Sequence, residues 1–325
     1  MELNNINNSN NGLFKMQTAN KWIEESKMKP IPKMLFSEFW FESELCILFA
    51  DTNLGKSILA VQIGDSISKG ESIKGFRLEA KKQPILYYDF ELSDKQFENR
   101  YSTDYQNHYK FDDNFIRIEI DSEANIPDST TFEEYLYQSL EKSVIKTGSK
   151  ILIVDNLTYL SSETEKANAA LPLMKQLKAL KSKYSLSILA LAHTPKRDLS
   201  KPITKNDLQG SKMLINFCDS SFAIGESSSS SGVRYIKQIK QRNTDDIYNA
   251  EHVPLFEIDK VNNFLQFEFI RFGTEQENLK QYSSEEKEEF NDQILELHRQ
   301  GKSFREIGRT LGVNHMKVKR FIDKQ

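Results

Sequence analysis

The stretch A-D-T-N-L-G-K-S, residues 50–57, decides the fold class of this chain. A strand-like apolar run, Cys46–Phe49, leads into it, and a helical pattern of apolar residues starts directly after it. A strand, a loop and a helix in this order place backbone N–H groups and a helix N-terminus around a phosphate. We therefore predict a loop that binds a nucleoside triphosphate through residues Ala50, Asp51, Thr52, Asn53, Leu54, Gly55, Lys56, Ser57 and Ile58.

Two side chains of this loop have specific expected roles. Lys56 should reach the β- and γ-phosphates, and the Ser57 hydroxyl should bind magnesium, so ATP and Mg²⁺ are the expected cofactors. Ala50 stands where the usual pattern G-x-x-x-x-G-K-[ST] has glycine, but this position ends a strand and the departure is minor. The alternative interpretation is a chance G-K-S in a surface turn.

The composition narrows the class of protein. The chain has 325 residues, 44 basic and 47 acidic side chains, and a net charge of −3, so any nucleic-acid site must be local. Both cysteines, Cys46 and Cys218, lie in apolar runs, which is typical of buried thiols in a reducing compartment. We find neither a signal-peptide pattern nor an apolar run of membrane-spanning length, so we expect a cytoplasmic protein without a membrane partner.

The patterns along the chain predict an α/β fold. Strand and helix signals alternate from residue 45 to residue 192, which predicts a mostly parallel central sheet covered by helices on both faces. Four further apolar or alternating runs to residue 269 predict a meander that extends this sheet. The predicted divisions are a disordered polar tail at 1–18, an ATPase domain with an irregular lead-in at 19–272, a linker at 273–284 and three short helices at 285–325.

Three buried strands end in polar side chains that fit phosphate chemistry. Asp155 follows Ile151–Val154 and is the predicted magnesium ligand. Glu91 follows a second strand and is our candidate for the base that deprotonates the attacking water, whereas Asp89 could support the site or lie at the surface. His193 closes a third strand and could sense the γ-phosphate or be structural.

This ordered set resembles the RecA-fold hexameric helicases and related AAA-type P-loop ATPases. The resemblance covers about 45–270 and includes D-F-E-L followed by Arg100, V-D-N, A-H-T, D-L-Q-G-S at 207–211 and K-Q-R-N at 240–243. The closest types are DnaB and the plasmid replication ATPase RepA. The short segment before the core favours the RepA-like type or a relative that is not a helicase.

The resemblance implies a role for each matching residue. Glu91 would be the catalytic glutamate, Asp155 the magnesium-site aspartate and His193 the γ-phosphate sensor. Lys240 and Arg242 would reach a neighbouring subunit's nucleotide, in a homo-oligomer that is most simply a hexameric ring. Ordinary outward-facing charge explains that pair equally well. Gln209, Gly210 and Ser211 would open the helix after a DNA-facing loop.

Two loops would line the pore of such a ring. The loop at 156–168 is poor in basic residues, whereas the loop at 195–206 is rich in them and is the better candidate for single-stranded DNA. Its candidate DNA-binding residues are Lys196, Arg197, Lys201 and Lys205. A solvated basic loop without a ligand is the alternative.

The last forty residues resemble the helix-turn-helix of resolvases and small regulators. Gly312 would form the turn, and Ser303 and Asn314 would cap the helices. Residues 302–325 hold seven Lys or Arg against two acids, which favours contact with double-stranded DNA. The expected recognition residues are Asn314, His315, Lys317, Lys319 and Arg320. A protein-docking module is the alternative.

Together these patterns favour an ATP-dependent motor that acts on DNA in plasmid or mobile-element replication. The rival hypothesis is a DNA-binding regulator whose oligomeric state is set by ATP and which does not unwind DNA. Glu91 and the pair Lys240 and Arg242 favour turnover, because a nucleotide sensor needs no water-activating carboxylate. The weak basicity of the predicted pore favours the regulator.

Overall fold

The computed structural model describes residues 10–11, 14–160, 167–195, 197–208, 211–311, 313 and 315–323. The chain divides into two compact units, Met1–Lys33 and Met34–Gln325. In the first, the described residues form a two-stranded pairing of Asn10–Asn11 with Phe14–Lys15 and a helix, α1 (Ala19–Lys27), whose N-terminus is capped by the Thr18 hydroxyl. The lead-in that we predicted to be irregular therefore contains a helix.

The second unit is built on a large mixed sheet. Among the described residues this sheet has nine strands, which in chain order are β1 (Leu45–Ala50), β2 (Ile85–Asp89), β3 (Phe115–Ile118), β4 (Ile151–Asp155), β5 (Ser187–His193), β6 (Ser220–Glu226), β7 (Val233–Lys240), β8 (Val253–Val261) and β9 (Phe264–Gly273). Their spatial order is β9-β8-β7-β6-β1-β5-β4-β2-β3. The strands from β6 to β3 in this order are parallel, and β7, β8 and β9 continue the sheet as an antiparallel meander. The predicted fold class is confirmed.

Helices cover the sheet because its central strands are apolar throughout. Every residue of β1 and β4 is buried, as expected for strands with packed layers on both faces. The further helices are α2 (Lys56–Lys69), α3 (Asp94–Arg100), α4 (Phe132–Thr147), α5 (Ala167–Tyr184), α6 (Ser211–Phe217) and α7 (Glu275–Asn278). One core layer contains side chains of α4 and α5, the other contains side chains of α2, and the meander contributes side chains to both.

Glu275, Asn278 and Leu279, which lie in the segment that we predicted to be a linker, are buried. Glu275 in α7 is 1% exposed, and its carboxylate accepts hydrogen bonds from the Ile203 backbone N–H (2.7 Å) and the Tyr235 hydroxyl (3.3 Å). The polar composition of this segment predicts a linker, because acidic residues are usually exposed. Glu275 is buried because donors from other elements of the fold satisfy its carboxylate.

Three short helices follow, α8 (Ser284–Arg299), α9 (Phe304–Thr310) and α10 (His315–Ile322). They share a small core around Ile294, Ile307 and Val318. Ser303 forms a capping box with Glu306 at the start of α9, as its position in the sequence predicted. The predicted turn and cap residues Gly312 and Asn314 lie outside the described residues.

Candidate active site

The candidate site lies at the carboxyl edge of the parallel strands. His193 at the end of β5 pairs with Ala50 at the end of β1, and Asp155 at the end of β4 pairs with Asp89 at the end of β2. Parallel strands bring their carboxyl ends to one edge of a sheet, where open α/β folds bind ligands. The polar strand ends that the sequence singled out are therefore neighbours.

The phosphate loop connects β1 to α2 through a left-handed backbone at Gly55 (φ 91°). A Cβ atom at this position would lie 2.6 Å from Ile258 Cδ1 and 3.0 Å from Phe267 Cε2, both in the meander. Glycine is required for the backbone conformation and for this close approach. The meander thus forms a wall behind the loop.

Lys56 is folded into the loop at the start of α2. Its ammonium donates to the carbonyl oxygens of Ala50 and Asp51, at 3.1 Å each, and lies 3.2 Å from His193 Nδ1. Burial lowers the pKa of Lys56, whereas the negative charges of Asp155, Glu91 and Asp51 oppose this effect. The cation therefore lies among the acidic groups predicted to act with it.

Asp155 and Ser57 form the pair expected to hold a magnesium ion. The Asp155 carboxylate is 1% exposed and accepts a hydrogen bond from the Tyr87 hydroxyl at 2.7 Å. Burial raises the pKa of Asp155 to about 6, although the hydroxyls of Ser57 and Tyr87 oppose the shift. A hydroxyl and an anionic oxygen near each other fit a hard divalent cation, so these two side chains would hold it.

Glu91 is held beside His193 by an amide that the sequence analysis did not single out. The Asn156 side-chain N–H donates to Glu91 Oε1, and the same nitrogen lies 3.2 Å from His193 Nε2. Hydrogen bonding to His193 is the main cause that lowers the pKa of Glu91, and Lys56 and Arg100 act in the same direction against burial. Glu91 is therefore ionised at neutral pH, as a base must be.

Arg100, which follows D-F-E-L in the sequence, also lies at this site. It lines a cavity of about 230 Å³ together with residues of the phosphate loop, Glu91 and His193. Its Nη1 atom is buried and has no hydrogen-bond partner among the described residues. A guanidinium with an unpaired N–H, in a residue that lines this cavity, fits an anionic phosphate oxygen. A triphosphate is thus compatible with the charges and donors of this cavity.

Lys240 and Arg242 lie at the opposite edge of the sheet. In the sheet, Lys240 pairs with Ser221, and Ser221 pairs on its other side with Ile47 near the start of β1. The phosphate loop follows the end of β1, so Lys240 and Arg242 are remote from the phosphate loop of their own subunit. The Lys240 ammonium donates to two carbonyl oxygens at the end of α6, and Arg242 Nη1 lies 3.4 Å from Asp219. Their role toward a neighbouring subunit stays a prediction.

The basic loop after β5 is only partly described, because Lys196, Gln209 and Gly210 lie outside the described residues. Arg197 donates to the Lys201 carbonyl oxygen at 2.6 Å. The side chains of Lys201 and Lys205 are exposed, although the Lys201 ammonium lies 3.5 Å from Asp198. Ser211 begins α6 as predicted. DNA binding by this loop stays a prediction.

Three of the predicted recognition residues are exposed on the last helix. His315, Lys319 and Arg320 are exposed on α10, whereas the side chain of Lys317 is not among those described. A Cβ atom at Gly308 would lie 2.7 Å from the Val313 carbonyl oxygen, so glycine permits α9 and α10 to approach closely. This packing is compatible with a helix-turn-helix, and duplex binding stays a prediction.

The parallel sheet, the phosphate loop and the acidic strand ends define a P-loop nucleotide-binding protein. A family model described as an AAA domain matches residues 15–198, more than half of the chain, and the chain belongs to this family of P-loop ATPases. No curated protein matches the chain. Among the described residues, none of the helices combines the length and the apolar character that crossing a membrane requires.

Proposed function

We propose that this protein is an ATP-hydrolysing motor that acts on DNA, of the RepA- or DnaB-like ring type, in the replication of a plasmid or mobile element. The main support is a series of side-chain contacts at the carboxyl edge of the sheet, from Glu91 through Asn156 and His193 to Lys56. It connects a water-activating carboxylate to the phosphate loop. A protein that only senses a nucleotide has no need of this connection.

The residues of the site divide the work of hydrolysis. Lys56 and Arg100 bind the phosphate oxygens of ATP and neutralise their charge. Glu91 orients the attacking water and takes its proton, while Asn156 holds Glu91 close to His193. Ser57 and Asp155 would hold Mg²⁺, which supplies further charge neutralisation on the phosphates.

In the proposed oligomer, residues of a neighbouring subunit complete this site. Lys240 and Arg242 lie at the amino edge of the sheet and are too far from their own phosphate loop to contribute to it. In a homo-oligomeric ring, most simply a hexamer, the same edge faces the carboxyl edge of the next subunit. Arg242 is the better placed of the two, because its side chain is 53% exposed.

The proposed DNA contacts are divided between two surfaces. Arg197, Lys201 and Lys205, with Lys196 beside them, would contact single-stranded DNA in the ring. The exposed face of α10 with His315, Lys319 and Arg320 would bind duplex DNA and bring the motor to its site.

A regulator without unwinding is the second candidate. The bonds of the Lys240 ammonium to the Ile215 and Cys218 carbonyl oxygens favour it, because a lysine that caps α6 is not free to reach a neighbour. In that case ATP would set the oligomeric state, and the C-terminal helices would carry the biological activity.

ATPase rates measured with and without single-stranded DNA, together with strand displacement, test the proposal. Glu91→Gln should keep ATP binding and lower turnover by about 10²–10⁴-fold, because an amide cannot accept the proton. Lys56→Ala should lose ATP binding. Glu251→Gln, at an exposed carboxylate, serves as the control. Wild-type turnover in Glu91→Gln would contradict the motor, and ATP turnover without DNA stimulation or displacement would favour the regulator.

A further inference from the structure

Asp89, whose position the sequence left open, is buried behind Glu91 at the end of β2. Its Oδ1 atom accepts hydrogen bonds from the backbone N–H groups of Glu91 (3.2 Å) and Leu92 (3.0 Å). Its Oδ2 atom accepts from Arg117 Nε at 2.9 Å. The turn that carries Glu91 is thus folded around the Asp89 carboxylate, and Asp89 does not face the phosphate cavity.

Arg117 lies on the outer strand β3 and holds the same turn from the other side. Its guanidinium donates to the Leu92 carbonyl oxygen and to Asp94 Oδ1, at 2.8 Å each, and packs over the Phe97 ring at 4.6 Å. Glu119 is a further ion-pair partner. The side chain is only 18% exposed. One planar side chain therefore joins the start, middle and end of the segment that leads from β2 into α3.

This segment carries Glu91 of the candidate site at its centre and leads into α3. Arg100, beside the phosphate cavity, lies at the far end of α3, which begins at Asp94. The position of Glu91 therefore depends directly on this short stretch of backbone. On the side of the central strands, Asn156 after β4 and His193 at the end of β5 lie beside Glu91.

We infer that Arg117, acting through Asp89, is a positioning residue that fixes Glu91 and the start of α3 relative to the phosphate loop. The inference rests on the proposed function, because it assigns Arg117 to the geometry of a hydrolytic site. A guanidinium suits this role, since its rigid fork binds several acceptors at once. Misplacing a catalytic group by about 1 Å lowers a rate by about 10²-fold, so loss of this clamp should reduce turnover.

The positioning role of Arg117 is tested by measuring the rate of ATP hydrolysis and, separately, the affinity for ATP. In Arg117→Met, we expect kcat to fall by about 10–10²-fold while the Kd for a fluorescent ATP analogue changes less than about threefold. Arg117→Lys should recover part of the loss, because an ammonium can pair with Asp89 but cannot bridge to Leu92 and Asp94. Asp89→Asn, which keeps the shape of the side chain, should also lower kcat.

The pH profile separates positioning from a purely structural role. The titratable and charged groups near Glu91 are His193 on β5, Lys56 on α2, Arg100 on α3 and Asp155 on β4. The hydrogen bond to His193 is the main cause that lowers the pKa of Glu91. A displaced Glu91 loses this contact, and its pKa rises, so kcat of Arg117→Met should decline at a higher pH on the acid side than that of the wild type.

Lys82→Met is the matched control, because Lys82 pairs with Asp112 near the other end of β3 and is 53% exposed. It should leave kcat and the pH profile unchanged. The inference is overturned if Arg117→Met keeps wild-type kcat, or if kcat and ATP binding fall together. If Arg117→Met does not fold, kcat and the Kd for the ATP analogue are measured in Arg117→Lys and Asp89→Asn instead. The inference is then overturned if both variants keep wild-type kcat, or if kcat and ATP binding fall together in them. Glu91→Gln is measured alongside: if it hydrolyses ATP normally, the proposed function has failed instead.

Discussion

At the scale of single residues, the burial of Asp155 couples the protonation of its carboxylate to the stability of the fold. Its carboxylate is almost fully buried, and burial raises its pKa to about 6, above the ordinary value of about 3.9. The folded protein therefore binds a proton more tightly than the unfolded chain does. At neutral pH the ionised carboxylate destabilises the fold, and this penalty disappears as the pH falls below about 4.

Asp155→Asn should therefore stabilise the protein and abolish Mg²⁺-dependent hydrolysis. We expect the free energy of unfolding at pH 7.5 to rise by up to about 3 kcal/mol, and the gain to shrink as the pH is lowered toward 4. Denaturant unfolding at several pH values measures this, with exposed Asp113→Asn as the control. A variant that is less stable than the wild type at pH 7.5 would show that hydrogen bonding, not burial, dominates at this carboxylate.

At the scale of elements, the antiparallel meander and the phosphate loop are packed against each other. Ile258 of β8 and Phe267 of β9 lie against the left-handed residue Gly55. Gln62 of α2 strengthens this contact, because its side chain bonds both the N–H and the carbonyl oxygen of Phe267 (2.9 and 3.1 Å). The meander thus holds the start of the helix that forms the phosphate site.

Gly55→Ala should destabilise the protein more than Gly148→Ala does. Both glycines have a positive φ, 91° and 67°, but a Cβ atom at Gly148 meets nothing within 4 Å. The two variants share the backbone strain of about 1 kcal/mol, and Gly55→Ala adds the clash with Ile258. Thermal unfolding and ATP affinity provide the measurement. Equal effects in both variants would mean that the meander does not press on the loop.

At the scale of the whole molecule, the proposed catalytic residues are divided between two edges of one sheet. Lys56, Glu91 and His193 lie at the carboxyl edge, whereas Lys240 and Arg242 lie at the amino edge. The family match ends at residue 198 and does not reach the second group. A single subunit therefore cannot join both groups at one nucleotide, which makes assembly the central question for function.

Arg242→Ala should bind ATP almost normally and hydrolyse it poorly, because a cation supplied in trans contributes about 10³–10⁵ in rate. Mixing it with Lys56→Ala should restore part of the activity, since some interfaces then pair an intact loop with an intact arginine. Arg271→Ala, at an arginine that is 59% exposed, is the control. Concentration-independent turnover with no recovery in the mixture would refute the ring.

Much of the site could be predicted from the sequence alone. The strand, loop and helix around residues 50–57 and the polar ends of three apolar strands are local patterns, and parallel strands bring such ends together. Local periodicity reports which face of an element is buried and where the element ends. These two facts were sufficient to select Lys56, Glu91, Asp155 and His193 as candidate site residues, whose roles stay predictions.

Only the tertiary structure decided which distant residues support them. Tyr87 on Asp155, Arg117 on Asp89 and Ile258 on Gly55 are contacts between elements whose adjacency follows from the strand order. Strand order results from long-range packing, to which periodicity and turn residues are insensitive. The burial of Glu275 was hidden for the same reason, because its donors at Ile203 and Tyr235 come from remote parts of the chain.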